Sequence, residues 1–330
     1  MNQLKTNTLL VLICCMFFIA GCSISEKQFL ISADIDNPKI QFAVDEIKAA
    51  FAEKGIEVLI DKDKKADIVF SAENENSQLK PEGFSITKKS KRIRIEGFDD
   101  AGLMYGGLDL AEQIKLLGFE GVQETTQNPH MARRGTKFNI PLDVRTPSYT
   151  DVSDVAQKNI PEMWNFDFWK EYIDNLARYR FNLISLWSLH PFPSMVKVPG
   201  YEDVAISDVQ RSTVKWKEHY DLEATGFDAP DILANHEIVK HISIDEKIEF
   251  WQKVMRYAKE RNIDFYVVTW NIFVNGTDGK YGITDKTDNP VTRDYFRKSV
   301  KQMFVTYPDL AGIGLTTGEN MKQASFQEKE

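Results

Sequence analysis

Beyond residue 131 the sequence alternates between short apolar runs and longer stretches whose apolar residues recur at helical spacing. That alternation constrains the fold more than any other feature. Strictly alternating strands and helices point to a parallel sheet, because a helix carries the chain back before the next strand pairs. The strand readings are Phe138 to Leu142, Asn182 to Leu189, Asp264 to Phe273 and Leu310 to Thr316. The helix readings are Phe168 to Arg180, Ile244 to Arg261 and Thr292 to Thr306. Trp169, Tyr172, Ile173, Leu176 and Tyr179 line one side of the first helix, and Ile248, Trp251, Val254, Met255 and Ala258 stripe the second. The 264–273 run is nearly all apolar, as a strand covered on both faces should be. Residues 131–330 are therefore expected to form an incomplete (β/α)8 TIM barrel of about four βα units, with a doubly wound sheet as the alternative. No Gly-x-Gly-x-x-Gly turn opens any helix, which argues against a dinucleotide fold. A complete barrel takes about 250 residues. The chain is accordingly read as truncated or as a fragment, with open strand edges that make it unstable or self-associating alone.

Residues 23–130 carry a different pattern, that of a small α/β sandwich domain with a linker. After a tether, Ser23 to Gln28, Phe29 to Ser32 reads as a strand and Pro38 to Lys54 as a helix, with Ile40, Ala43, Val44, Ile47 and Phe51 inward and Gly55 as its stop. Ile56 to Ile60, Ala66 to Phe70, Gly83 to Thr87 and Arg92 to Glu96 read as strands, the last two joined by a charged hairpin turn. Ala101 to Leu117 is a second helix, closed by Gly118, and the polar stretch Phe119 to Met131 is read as the linker.

Residues 1–22 stand apart. Lys5 precedes an uninterrupted apolar stretch, Leu9 to Ala20, which is too short to span a bilayer but suits a signal-peptide core. It ends Ile19-Ala20-Gly21-Cys22, the form of a bacterial lipobox in which Cys22 takes the lipid. All three Cys lie in this segment, so processing leaves a body without thiols, disulfides or Cys metal sites. The expected location is the bacterial cell envelope, with the protein held to the membrane by its lipid anchor. A net charge of −8 and the lack of a basic patch make nucleic acid a poor partner.

A parallel barrel presents its chemistry at the C-terminal ends of its strands. That rule selects Asp143 and Arg145 after the first strand, Trp187 and His190 after the second, Trp270 and Asn271 after the third, and Glu319 and Asn320 after the fourth. Glu319 follows a glycine-rich strand end, Gly312 to Gly318. A carboxyl beside apolar walls has a raised pKa and can donate a proton to a leaving oxygen. Trp187 and Trp270 could floor a sugar subsite or pack the rim. Arg145 could hold a substrate carboxylate or pair with Asp143, and His190 could meet a hydroxyl or be structural. His236 and His241 are five apart, which is wrong for a zincin helix, and no other cluster has metal-ligand spacing. No Gly-x-Ser-x-Gly elbow or Cys nucleophile is present, and no cofactor is implied. The long stretch Pro191 to Ser243 is read as a substrate loop or lid.

These residues resemble a known group. The segment Gly97-Phe98-Asp99-Asp100-Ala101-Gly102-Leu103-Met104-Tyr105-Gly106 looks like the end of the N-terminal domain shared by family 67 α-glucuronidases and family 20 hexosaminidases, which a barrel follows in both. Thr317-Gly318-Glu319 is similar to the Ser-Glu-Gly region of α-glucuronidases, with Gly and Glu in the other order. The His-x-Gly-x-Asp-Glu signature of family 20 is not found. The resemblance implies an inverting glycosidase with Glu319 as general acid, acting on a uronic-acid-containing polysaccharide. Its base would come from later barrel strands, so the chain alone is expected to be inactive. The alternative is a non-catalytic surface glycan-binding lipoprotein using the tryptophan rim.

Overall fold

The computed structural model describes residues 28–61, 66–71, 78–148, 154–214, 234–270, 273–286 and 288–316. Its first part is a six-stranded sheet in the order β2-β1-β3-β5-β4-β6. The strands are β1 (Phe29–Ser32), β2 (Val58–Ile60), β3 (Ile68–Ser71), β4 (Phe84–Lys89), β5 (Arg92–Gly97) and β6 (Thr125–Gln127). Two helices, α1 (Pro38–Ala52) and α2 (Asp100–Leu117), pack with it. Both begin where the sequence supplies a cap: the Asn37 side chain accepts from Lys39 N and the Asp99 side chain from Gly102 N. Gly106 and Gly107 let α2 approach closely on two sides. A Cβ at Gly106 would stand 2.6 Å from Ile95 Cγ2, and one at Gly107 would stand 2.7 Å from Ala43 Cβ. The stretch read as a linker is partly structural: β6 pairs antiparallel with β4, and Phe119 and Val122 are buried. Pairing to a distant strand, invisible to local pattern, makes the difference.

The second part is a four-stranded, wholly parallel sheet in the order β12-β11-β8-β7. It consists of β7 (Gly135–Asn139), β8 (Leu183–Trp187), β11 (Asp264–Trp270) and β12 (Leu310–Thr316). Helices α3 (Asp154–Asn159), α4 (Phe166–Arg178), α5 (Phe192–Met195), α6 (Ile244–Glu260) and α7 (Pro290–Thr306) lie between or beyond these strands. Helix α6 opens with a capping box in which Ser243 Oγ accepts from Glu246 N and the Glu246 carboxylate accepts from Ser243 N. Strand alternation splits the sheet into two faces. Phe138, Ile184, Leu186, Phe265 and Val267 pack into the core with Trp169 and Trp251, whose ring centroids are 5.3 Å apart. The opposite face carries Lys137, Asn139, Ser185, Trp187, Tyr266, Val268 and Trp270.

The first strand of the parallel sheet differs from expectation. The run Phe138 to Leu142 is apolar, but Pro141 cannot donate to a ladder. The strand ends at Asn139 and takes in Gly135, Thr136 and Lys137 instead. The Pro191 to Ser243 excursion also contains order: β9 (Val209–Ser212) and β10 (His236–Lys240) form an antiparallel ribbon. His236 lies in β10 and His241 just past it, with no helix to bring their rings together.

A polar node joins the two parts. Glu82 has a left-handed backbone, φ 64°. Its carboxylate accepts from Arg134 Nη2 at 2.5 Å, and from Asn182 Nδ2 and Asn262 Nδ2 at 2.9 Å each. Arg180 adds a 2.7 Å bond to Asp109 on α2. These contacts seat the first part against the N-terminal ends of β8 and β11, leaving the C-terminal ends clear.

Candidate functional site

Ligands of parallel α/β sheets bind beyond the carboxyl ends of the strands. A cleft of about 740 Å³ lies elsewhere, at the junction, lined by Lys39, Lys80, Glu82, Asp99 and Asn262 among others. The Glu82, Asp99 and Asn262 side chains are already hydrogen-bonded, and Asn262 lies two residues before β11, at its N-terminal end. The cleft is therefore at the wrong end of the strands. At the other end, Asn139, Trp187 and Val268 stand side by side in register, with Trp270 and Thr316 one step further.

Trp187 is half-buried and firmly held. Its Nε1 donates to Ser185 Oγ at 2.8 Å, and its ring meets Trp270 edge-to-face with centroids 5.6 Å apart. The exposed side chain of Lys137, from the neighbouring strand, places Nζ 4.5 Å from the Trp187 ring centroid. Trp270 itself is buried and touches Phe273. Trp187 thus offers the reachable ring while Trp270 backs it. Asn139 Oδ1 is buried and receives no hydrogen bond from the described residues. The apolar run from Phe138 draws the expected strand past Lys137, whereas β7 begins at Gly135. The alternation of Gly135, Lys137 and Asn139 with Thr136 and Phe138 is the pattern that marks Lys137 and Asn139 for this face.

Asp143 and Arg145 are brought together, but for structure. Asp143 is fully buried, and Arg145 grips it with Nε to Oδ1 at 2.7 Å and Nη2 to Oδ2 at 2.8 Å. Arg145 Nη2 also donates to the carbonyls of Ser207 and Asp208, and Gln210 N donates to Asp143 Oδ2. Buried Lys247 donates to the carbonyls of Ile206, at 3.0 Å, and Asp208, at 2.5 Å. Burial lowers its pKa to about 8, opposed by the charge of Asp143. The set fastens the loop after β7 to the start of β9, so the guanidinium of Arg145 is occupied rather than aimed at a ligand.

His190 is likewise committed. It is fully buried, with Nδ1 donating to the Asn275 carbonyl at 2.6 Å and Nε2 accepting from Tyr295 OH at 3.1 Å. Burial drives its pKa down to about 4, against the pull of the Asn275 hydrogen bond. A neutral ring with both nitrogens engaged has nothing left for a substrate hydroxyl. His190 instead ties the loop after β11 to α7. Glu319, Asn320, Asn271 and Cys22 lie outside the described residues. Among the described residues no group of three or more His, Cys, Asp or Glu could hold a metal ion.

A mixed-sheet α/β unit thus precedes a parallel sheet that carries a tryptophan pair at the carboxyl ends of its strands. Residues 22–118 match the family model for glycosyl hydrolase family 20, domain 2. A GH138 enzyme targeting pectin rhamnogalacturonan II superposes with a TM-score of 0.69 at 22% identity, over 92% of this chain and 40% of its own. A mutant Streptomyces plicatus beta-hexosaminidase in complex with its product GlcNAc gives 0.52 at 15% identity, over 85% of this chain and 53% of its own. The GH20 beta-N-acetylhexosaminidase from Streptomyces coelicolor A3(2) gives 0.54 at 14%, over 86% of this chain and 54% of its own. The chain therefore spans between two-fifths and about half the length of these structures. No curated protein matches it.

Proposed function

We propose that this chain supplies the sugar-binding front part of a glycoside hydrolase acting on a uronic-acid-containing polysaccharide, α-glucuronidase-like in its chemistry. The observation that carries the reading is the Trp187–Trp270 pair at the carboxyl ends of a parallel sheet. An indole held by a hydrogen bond and backed edge-to-face by another is a rigid apolar surface of the kind pyranose rings use. The fold it sits on is one that glycoside hydrolases share. On this reading the four parallel strands, in sequential order, are the first half of a (β/α)8 barrel. Glu319, three residues past the end of β12, is the general acid, and Asn271 and Asn320 contact hydroxyls. Asp143, Arg145 and His190 shape the rim without touching the sugar.

The lipobox adds a location. Cys22 is lipidated and the protein stands at the bacterial envelope, facing oligo- or polysaccharide. Labelled palmitate should enter the wild-type protein and not Cys22→Ser. A second reading, a non-catalytic surface glycan-binding lipoprotein, rests on the same tryptophan pair, which can hold a sugar ring without a catalytic group.

Tryptophan fluorescence during titration with oligogalacturonides and glucuronoxylan fragments tests the proposal, with sugar release followed in parallel. Quenching that disappears in Trp187→Ala supports the sugar site, and release of a uronic acid, lost in Glu319→Gln, supports the hydrolase over the binding protein. No quenching by any glycan would overturn both readings.

A further inference from the structure

The sequence nominated Arg145 as the group to hold a substrate carboxylate, and the structure spends it on Asp143 and two backbone carbonyls. Lys247, the other cation bonded to that loop, is buried against two carbonyls. Among the described residues one cation remains at the aromatic row. Lys137 is exposed, with Nζ 4.5 Å from the centroid of the Trp187 ring. Among the described residues it has no carboxylate partner. The strand positions sharing its face offer no compensating acid: Ser185, Trp187, Tyr266, Val268 and Trp270 are uncharged, and Asp264, at the far end of β11, pairs with Arg133.

The position of this ammonium has a consequence for ligands. It lies over one face of the Trp187 ring. A neutral pyranose stacked on that face must displace it and forfeit a cation–π contact worth about 0.5–1 kcal/mol at an exposed site, roughly a two- to fivefold penalty. An anionic sugar meets it directly and gains a charge-assisted hydrogen bond. Asn139 stands in register with Trp187 on the neighbouring strand.

We propose that Lys137 is the specificity-determining residue of this site, reading the carboxylate of a hexuronic acid laid against Trp187 and disfavouring neutral sugars there. This rests on the sugar-site reading above, and the test separates the two. The probes are trigalacturonic acid and its fully methyl-esterified form, which has the same ring and no charge, titrated calorimetrically against the whole chain. Wild type should prefer the acid, and the preference should shrink as NaCl is raised. Lys137→Ala should cut the acid-to-ester affinity ratio at least tenfold, with ester binding rising two- to fivefold as the ring face is freed. Lys137→Arg should keep the preference, because it keeps the charge. If both ligands bind but the alanine variant loses them equally, Lys137 is a support for Trp187 and the inference is overturned while the sugar site stands. If wild type binds acid and ester equally, the inference is overturned in the same way. If neither ligand binds wild type, this inference is overturned, and the sugar-site reading falls with it when the glucuronoxylan fragments also fail to quench.

Discussion

Acidification should unfasten the rim through His190. In the fold the imidazole titrates at about 4, against about 6.5 in an unfolded chain. Between those values the unfolded state binds the extra proton, so stability falls as pH drops through that window. Linkage across the two values gives a loss of about 2 kcal/mol at pH 5 and about 3 kcal/mol at pH 4. The cause is visible in the contacts. A protonated ring would need an acceptor for Nε2–H, and its partner there, Tyr295 OH, would have to turn its own proton away inside the core. Tyr295 is itself buried, and burial raises its pKa, so it will not ionise to help. Urea melts at pH 7, 6 and 5 on the wild type and His190→Gln provide the assay. Carboxylates contribute to both proteins and cancel in the difference. The variant should be less stable at pH 7 yet lose about 2 kcal/mol less on going to pH 5. Parallel pH profiles for the two proteins would refute the assigned neutral, doubly bonded imidazole.

Other consequences are open to measurement. Lys247 titrates at about 8 in the fold, against about 10.4 when unfolded; its burial therefore costs stability below pH 8, and relief should come between pH 8 and 10, an increase of up to about 3 kcal/mol that Lys247→Met lacks. Removing Arg145 leaves the Asp143 carboxylate buried and unpaired, so Arg145→Ala should cost about 3 kcal/mol in chemical denaturation while sugar quenching of the folded protein persists. Quenching lost from a protein shown to be folded would return Arg145 to the binding site. Gly107→Leu should destabilise by about 2 kcal/mol or more, because α2 has no room for the side chain between Ala43 and Phe70; an unchanged melting temperature would mean that the α1–α2 contact is looser than described.

Much of the architecture was legible in the chain. β1 and β12 fall where their apolar runs place them, and helices α1, α2, α4, α6 and α7 fall within two residues of their periodic stripes. The reason is local: period, capping residues and Pro or Gly punctuation act over a few neighbours. Asn37, Asp99, Ser243 and Asn289 each begin a helix by accepting a backbone N–H two or three residues ahead. Trp169 and Trp251 could be placed on inward stripes for the same reason.

The contacts of the candidate residues were not local, and tertiary structure decided them. Arg145 is used up by Ser207, 62 residues away, as well as by nearby Asp143. His190 is neutralised by partners 85 and 105 residues along the chain. Lys137 comes to Trp187 only because β7 and β8 pair in one particular register. A side chain's chemistry depends on what else is within a few ångströms of it, and here the decisive neighbours lie on other strands and helices. The amino-acid order by itself determined an alternating α/β chain with polar and aromatic residues at the strand ends. Which of those residues stayed available to a ligand was set by the packing that buried or paired the others.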